Sequence, residues 1–351
     1  MLALPGLFGS ALDPLIGMAG NSRRRGALVF AGGIAFAVSA ALSAVALGFW
    51  TLLAALLGGN PATGAFVSLA QATLMDRDPA TRDRNMARWA LAGSVGYVAG
   101  PALIAGGVAL GLGWRGVLLG LSVTALPLAL AARRIATPPA PTPPARPLRV
   151  FLAALRDREV LRWLALLEAA DLLLDVFHGF LALYFVDVVG VGPVEGALAV
   201  AVWTGAGLAG DAALLAVLRR VSGLRYLRAS ALCALGAYPA FLGVPSLPAK
   251  LVLLAVLGLL NSGWYALPKA GLYSALPDES GTAVAIAGVG GLAGASVPAA
   301  LGFVAERVGL GPTMWLLLIA PAALFVGVPG PPELRCRAGR PRDRDRGRLG
   351  A

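Results

Sequence analysis

Four residues between positions 168 and 178 are the best placed in this chain to do chemistry. Glu168, Asp171, Asp175 and His178 are spaced +3, +4, +3 inside an otherwise apolar run at 163–186. At about 100° per residue on an α-helix, all four fall within roughly 80° of one face. Acids held away from water and beside one another can take up and release a proton, and an imidazole nearby can share it. The spacing therefore predicts a protonation stripe. Plainer readings are that Glu168 pairs with an arginine at the end of the run and that His178 bonds a backbone carbonyl. The only other metal-ligating candidates are Cys233, in an apolar run, and Cys336, in an arginine-rich tail. One His and two Cys fall short of a zinc ligand set, so neither a metal nor another cofactor is expected, and no disulfide.

A second candidate group lies at 251–276. Asn261, Tyr265, Lys269 and Tyr273 climb by fours, with Ser262 and Trp264 beside them. Such a face can line a cavity with an aromatic wall and one cation. Lys269 would bind an anionic ligand, neutralise an acid of the 163–186 run, or snorkel to an interface. Gln71 and Ser68 can add hydrogen bonds from the first part of the chain. A membrane-embedded enzyme built on His178 is disfavoured, because no nucleophile accompanies it.

The elements that position these groups follow from composition. Of 351 residues 58% are hydrophobic and only 13% charged, against about 25% charged in soluble domains; the mean hydropathy is +0.78. The net charge of +11 is scattered over short loops with no aromatic-lined basic domain, which excludes nucleic acid. Helices of about 20 apolar residues are needed to cross a bilayer, and such runs fall near 1–20, 27–47, 49–75, 89–110, 116–132, 163–186, 196–218, 229–247, 251–276, 281–305 and 311–329. The charge-free stretch 26–75 is too long for one helix, and the turn is placed near Gly48 rather than at Gly58-Gly59-Asn60-Pro61. Asp171 and Asp175 then lie roughly 13 and 20 Å from Arg162 along the helix, either side of the middle of a core about 30 Å thick. An all-α membrane protein of eleven spans is the expected fold class. No signal peptide precedes the first run.

Alternate breaks hold the positive charge. Arg23–Arg25, Arg77–Arg88, Arg133–Arg162, Arg219–Arg228 and Arg335–Arg348 carry 25 of the 29 basic residues; the opposite breaks have only Arg115, Lys250 and Arg307. This predicts that the arginine-rich face is cytoplasmic, with Met1 outside and the C-terminus inside, in a bacterial inner membrane. Residues 133–162, with the run Thr137–Pro144, read as a semi-extended linker between a bundle at 1–132 and a six-helix bundle at 163–330; residues 331–351 read as a disordered basic tail.

The two bundles look duplicated. Gly9-x-x-x-Asp13 recurs as Gly207-x-x-x-Asp211, Asn60 as Asn261 and Pro101 as Pro298, at offsets of 198, 201 and 197. Duplicated halves are the organisation of many secondary transporters. Asp13 and Asp211 are expected to lock helix packing or a gate, together with Arg23, Arg25 and Arg219 at the adjacent basic clusters.

With these features the chain resembles the major facilitator superfamily, two six-helix bundles joined by a cytoplasmic linker. The resemblance runs from the second to the twelfth helix of that fold, so a first helix is expected to be missing. The family's loop pattern after helix two is met partly by Gly17 and Arg25, with Asn21 in place of the acid and Arg24 in place of the inner Gly. Gly93-x-x-Gly96-x-x-x-Gly100-Pro101 is similar to the Gly-Pro motif of the superfamily's exporters, and Leu172–Val189 is similar to the fosmidomycin-resistance type of drug exporter. The resemblance implies a secondary active transporter, working as a monomer by alternating access. Proton-coupled efflux of a small, partly apolar compound is the favoured reading; an uptake permease or facilitator, or a transport-inactive remnant, are the rivals.

Overall fold

A computed structural model describes residues 3–134 and 147–329, and every described element is helical. Helices satisfy their backbone polar groups internally, as a chain this apolar must do in lipid. The elements are α1 (Ala3–Gly20), α2 (Arg25–Val45), α3 (Phe49–Arg77), α4 (Pro79–Ala109), α5 (Gly113–Arg134), α6 (Pro147–Ala154), α7 (Arg158–Val189), α8 (Pro193–Val217), α9 (Gly223–Gly243), α10 (Leu247–Leu260), α11 (Ala266–Ala275), α12 (Ser280–Val308) and α13 (Leu310–Gly327). Eight of these, α2, α3, α4, α5, α7, α8, α12 and α13, are long and apolar enough to cross a membrane.

Local signals explain the boundaries. The α2–α3 turn falls at Gly48, where the Thr51 hydroxyl donates to the Gly48 carbonyl at 2.8 Å. Pro61 lies within α3 and is followed by a π-helical turn at Gly64–Ser68. Proline removes one helical N–H without ending the helix here, and the wider turn accommodates the disruption. α7 contains two π-helical turns, Leu172–Val176 and Phe185–Val189, and stops at Gly190 with φ +78°.

Two expectations change. The span 251–276 is not one rod: it breaks between Leu260 and Ala266, with Gly263 at φ +79°. That conformation is open to glycine and strained for other residues, so the local Asn-Ser-Gly sequence permits the break. The 133–162 linker is partly helical, since α6 and the start of α7 fall inside it. Its Pro-rich run Thr137–Pro144 and the basic tail from Arg335 to Arg348, with Cys336, lie outside the described residues.

Within the first part of the chain, α2 packs on α3 and α5. Within the second, α8 and α9 pack on α10, and α13 on α7 and α9. Between the parts run two main seams, α1 against α12 and α4 against α8. The repeat landmarks map one seam onto the other: Asp13 is on α1 and Asp211 on α8, Pro101 on α4 and Pro298 on α12. Both seams are closed toward the arginine-rich end. There α12 buries Ser280 through Ile286 and α4 buries Asn85, Met86 and Ala87. Toward the other end α12 buries nothing over Val297–Val308, and α4 buries only Gly107.

Candidate functional site: a cavity beside the broken helix

A cavity of about 340 Å³ lies between α4, α7, α8 and the α10–α11 break, toward the lower end of the roughly 300–1,000 Å³ usual for small-molecule sites. From α7 it receives Asp171, Asp175 and His178. Asp171 directly precedes the π turn Leu172–Val176 and Asp175 lies within it, so their alignment comes from a widened turn rather than from the regular α-helix the spacing assumes. Such turns recur at functional positions. From α4 come Trp89, Ser94 and Tyr97, from α8 Trp203, Thr204 and Asp211. The break supplies Asn261, Ser262, Gly263 and Tyr265.

The polar groups around the cavity differ in how they are satisfied. The Ser94 hydroxyl donates to Asp211 Oδ2 at 2.5 Å, and the Gly263 backbone lies within electrostatic reach of this carboxylate. Gln71 ties the two parts of the chain together. Its amide donates to the Tyr265 hydroxyl at 3.3 Å, and its carbonyl accepts from the Tyr273 hydroxyl at 3.0 Å. Asn261 and Ser262 are 5% and 3% exposed, and neither Asn261 Nδ2, Asn261 Oδ1 nor Ser262 Oγ has a hydrogen-bond partner among the described residues.

Other expected site residues are placed elsewhere. Glu168 leaves the stripe, its carboxyl lying against Gly290 and Gly294 of α12. Lys269 is buried outside the cavity lining, within electrostatic reach of Asp171, Asp13 and Glu168. Trp264 turns away: it is fully buried, and its indole N–H donates to Ser230 Oγ on α9 at 3.0 Å. Asp13 fills the space between Gly64 on α3 and Gly288 on α12. Gly93, Gly96 and Gly100 have open space where a Cβ would project, so here they do not serve helix contact; Pro101 continues the same helix.

A polar latch closes the arginine-rich end. Arg25, buried, forms an ion pair with Asp76 at 2.5 Å and donates from Nε to the Gly20 carbonyl at 2.6 Å. Asp76 also accepts from the Ser280 hydroxyl at 2.6 Å. Asn21 donates to Thr282 Oγ1 at 2.8 Å and accepts from the Gly281 N–H at 2.8 Å. The position that departs from the family's acid is thus a direct bridge between α1 and α12. Arg23 and Arg219 are exposed. At the other seam Asp83 of α4 lies against Gly223, the first residue of α9. Sequence alone assigns no role to Asp76 and places Lys250 only as a charge in an arginine-poor break. The only available signal for Asp76 was an acid at the end of a span that also faces a basic cluster.

A family model described as Major Facilitator Superfamily matches residues 1–298. Comparison with curated proteins gives no match. Among solved structures, a variant of the Escherichia coli fucose:proton symporter FucP superposes with a TM-score of 0.79 at 15% identity, over 93% of this chain and 89% of that one. FucP in an outward conformation gives 0.77 at 16%, over 93% and 88%. The human organic anion transporter MFSD10 gives 0.73 at 18%, over 93% and 82%. At these identities the likeness is one of fold.

Proposed function

The chain belongs to the Major Facilitator Superfamily, and from that premise we propose that it is a proton-coupled secondary transporter whose path runs through the cavity beside the broken helix. The observation that carries the reading is the meeting of Asp171, Asp175 and His178 in one cavity at the seam between the two parts of the chain. Acids inside a membrane are costly and are kept for ion or substrate pathways. In this reading the latch at Arg25, Asp76 and Asn21 closes the cytoplasmic end, and the structure is the outward-facing state. Rocking of one bundle on the other breaks that latch, opens the cytoplasmic side and closes the outer one.

Efflux of a small, partly apolar compound is the favoured direction, supported by the Gly93–Pro101 pattern on α4. The eleven-span scheme, a bacterial inner-membrane location with Met1 outside and the C-terminus inside, and a monomeric state belong to the same proposal. In that scheme α1, α9 and the α10–α11 pair cross the membrane beside the eight helices that are long and apolar enough by themselves.

The test is direct. Purified protein is reconstituted in vesicles carrying an interior pH dye, and proton movement is followed as a panel of partly apolar compounds is added. Asp171→Asn combined with Asp175→Asn is expected to abolish proton movement at unchanged protein yield. Coupled flux at the wild-type rate in that double variant would remove the proposed role of the pair. Flux measured with and without an imposed pH gradient separates this reading from a facilitator.

A further inference from the structure

The cavity's lining carries a charge signature that bears on what it accepts. Asp171, Asp175 and Asp211 line it, and among the described residues neither Lys nor Arg does. Lys269 is buried outside the lining, within electrostatic reach of Asp13, Glu168 and Asp171. Such a cavity repels an organic anion, because like charges meet in a site screened poorly from one another. Trp89, Tyr97 and Trp203 add an aromatic wall, which attracts a cation through its π faces and an apolar body through burial.

A second, independent feature marks one end of the cavity. Asn261 and Ser262 are buried beyond nine-tenths, line the cavity, and have side-chain polar atoms without partners among the described residues. Buried polar groups are nearly always satisfied, and leaving one unmade costs more than making it gains. Asn261 and Ser262 line the same cavity as Asp211. The Gly263 backbone lies within electrostatic reach of the Asp211 carboxylate, and Ser262 Oγ packs onto Gly210, the residue before Asp211. A carboxylate has about four lone-pair sites. After Ser94, Asp211 can still accept.

We propose that this cavity selects an organic cation, a protonated amine on an apolar body of aromatic size, with its ammonium held by Asp211, Asn261 and Ser262. An ammonium offers three donors and no acceptor, and Asp211, Asn261 Oδ1 and Ser262 Oγ offer three acceptors. The body lies along the Trp89, Tyr97 and Trp203 side. Asp171 and Asp175, nearer His178, remain for the proton. The inference rests on the reading of this cavity as the transport site, and its test keeps the two apart.

Purified full chain in detergent is dialysed to equilibrium against three probes that share a bicyclic body: 1-naphthylmethylamine, 1-naphthalenemethanol and 1-naphthoate. The amine is expected to bind at least tenfold tighter than the other two. Asp211→Asn, which retains an acceptor for Ser94, should bring the amine to within about threefold of the alcohol. Ser262→Ala should weaken the amine severalfold while thermal stability is kept or raised, because an unpartnered buried hydroxyl is removed. A merely structural serine would do the reverse. Gly207→Trp fills the cavity from a position with open space at its Cβ and should abolish binding of the amine. Equal binding of the three probes, tighter binding of the carboxylate, failure of the amine to bind, or a preference that survives Asp211→Asn overturns the cation proposal. If Gly207→Trp still abolishes whatever binding is seen, the cavity stands as the site and only its charge preference falls. If binding persists in Gly207→Trp, the cavity reading falls as well.

Discussion

Ser94 on α4 donates its hydroxyl to Asp211 on α8 at 2.5 Å, and this bond crosses a seam between the two parts of the chain. At the other seam the repeat-related Asp13 on α1 reaches toward α12 and, with no hydrogen-bond donor among the described residues, is enclosed by two glycines. A Cβ on Gly64 would lie 2.5 Å from Asp13 Oδ1, and one on Gly288 would lie 2.5 Å from Asp13 Cβ. The same acid thus serves the two seams by different means, a hydrogen bond in one and close packing in the other.

The packed seam makes a prediction with its own control. Gly288→Val should destabilise the protein by about 1–3 kcal/mol, the usual cost of overpacking a filled site. Gly291→Val, three residues along the same helix where a Cβ meets nothing within 4 Å, should melt as the wild type does. Thermal melting in detergent decides it; equal melting temperatures for the two variants would show that the Asp13 contact is not tight.

The Arg25–Asp76 pair should hold the arginine-rich end shut. Arg25→Met leaves Asp76 with the Ser280 hydroxyl as its hydrogen-bond partner among the described residues, and removing one partner of a buried pair costs about 3–5 kcal/mol where both are fully buried. Asp76 is 19% exposed on its side chain, so a smaller effect is expected. A thiol placed at the buried Ala285, against Gly17, should react with a membrane-impermeant maleimide about tenfold faster in the Arg25→Met background, equivalent to about 1.4 kcal/mol of population shift. No change in labelling rate would show that the latch is not what closes this end.

Lys250 is a structural cation. Its ammonium donates to the carbonyls of Phe241 and Leu242 at 2.7 and 3.1 Å and to the Tyr184 hydroxyl at 3.1 Å. It also lies 5.1 Å from the Phe241 ring centroid. It therefore satisfies orphan carbonyls at the end of α9, where a cation also complements the helix dipole. Lys250→Met should lower stability by about 1–3 kcal/mol, the cost of leaving buried acceptors unmade, without altering proton movement per folded molecule. A loss of coupling at wild-type stability would assign it a different role.

Sidedness follows from the arginines. Reporter domains inserted at Thr142 and at Val191 should report opposite compartments, since one position lies in the arginine-rich set of breaks and the other in the arginine-poor set. The same compartment for both would dismantle the proposed orientation and the alternating-access reading with it.

Some of this arrangement was legible in the sequence for physical reasons. Side-chain period on a helix put Asp171, Asp175 and His178 on a common face, and a charge-free stretch longer than one span forced a turn that Gly48 permits. Repeat spacing related Asp13 to Asp211 before any contact was known. Periodicity names a face but not what faces it. Gln71 meets Tyr273 from 202 residues away, and Asp76 meets Arg25 and Ser280 across 51 and 204. The break at Asn261–Tyr265 was hidden inside an apolar run long enough for one helix, and it turned Trp264 toward Ser230 while leaving Asn261 and Ser262 at the cavity. Local sequence determined the helices, their apolar faces and the side on which positive charge gathers, since these depend on residues within a turn or two. Only the tertiary structure decided which polar groups find partners and which do not, because that depends on close approach between helices far apart in the chain.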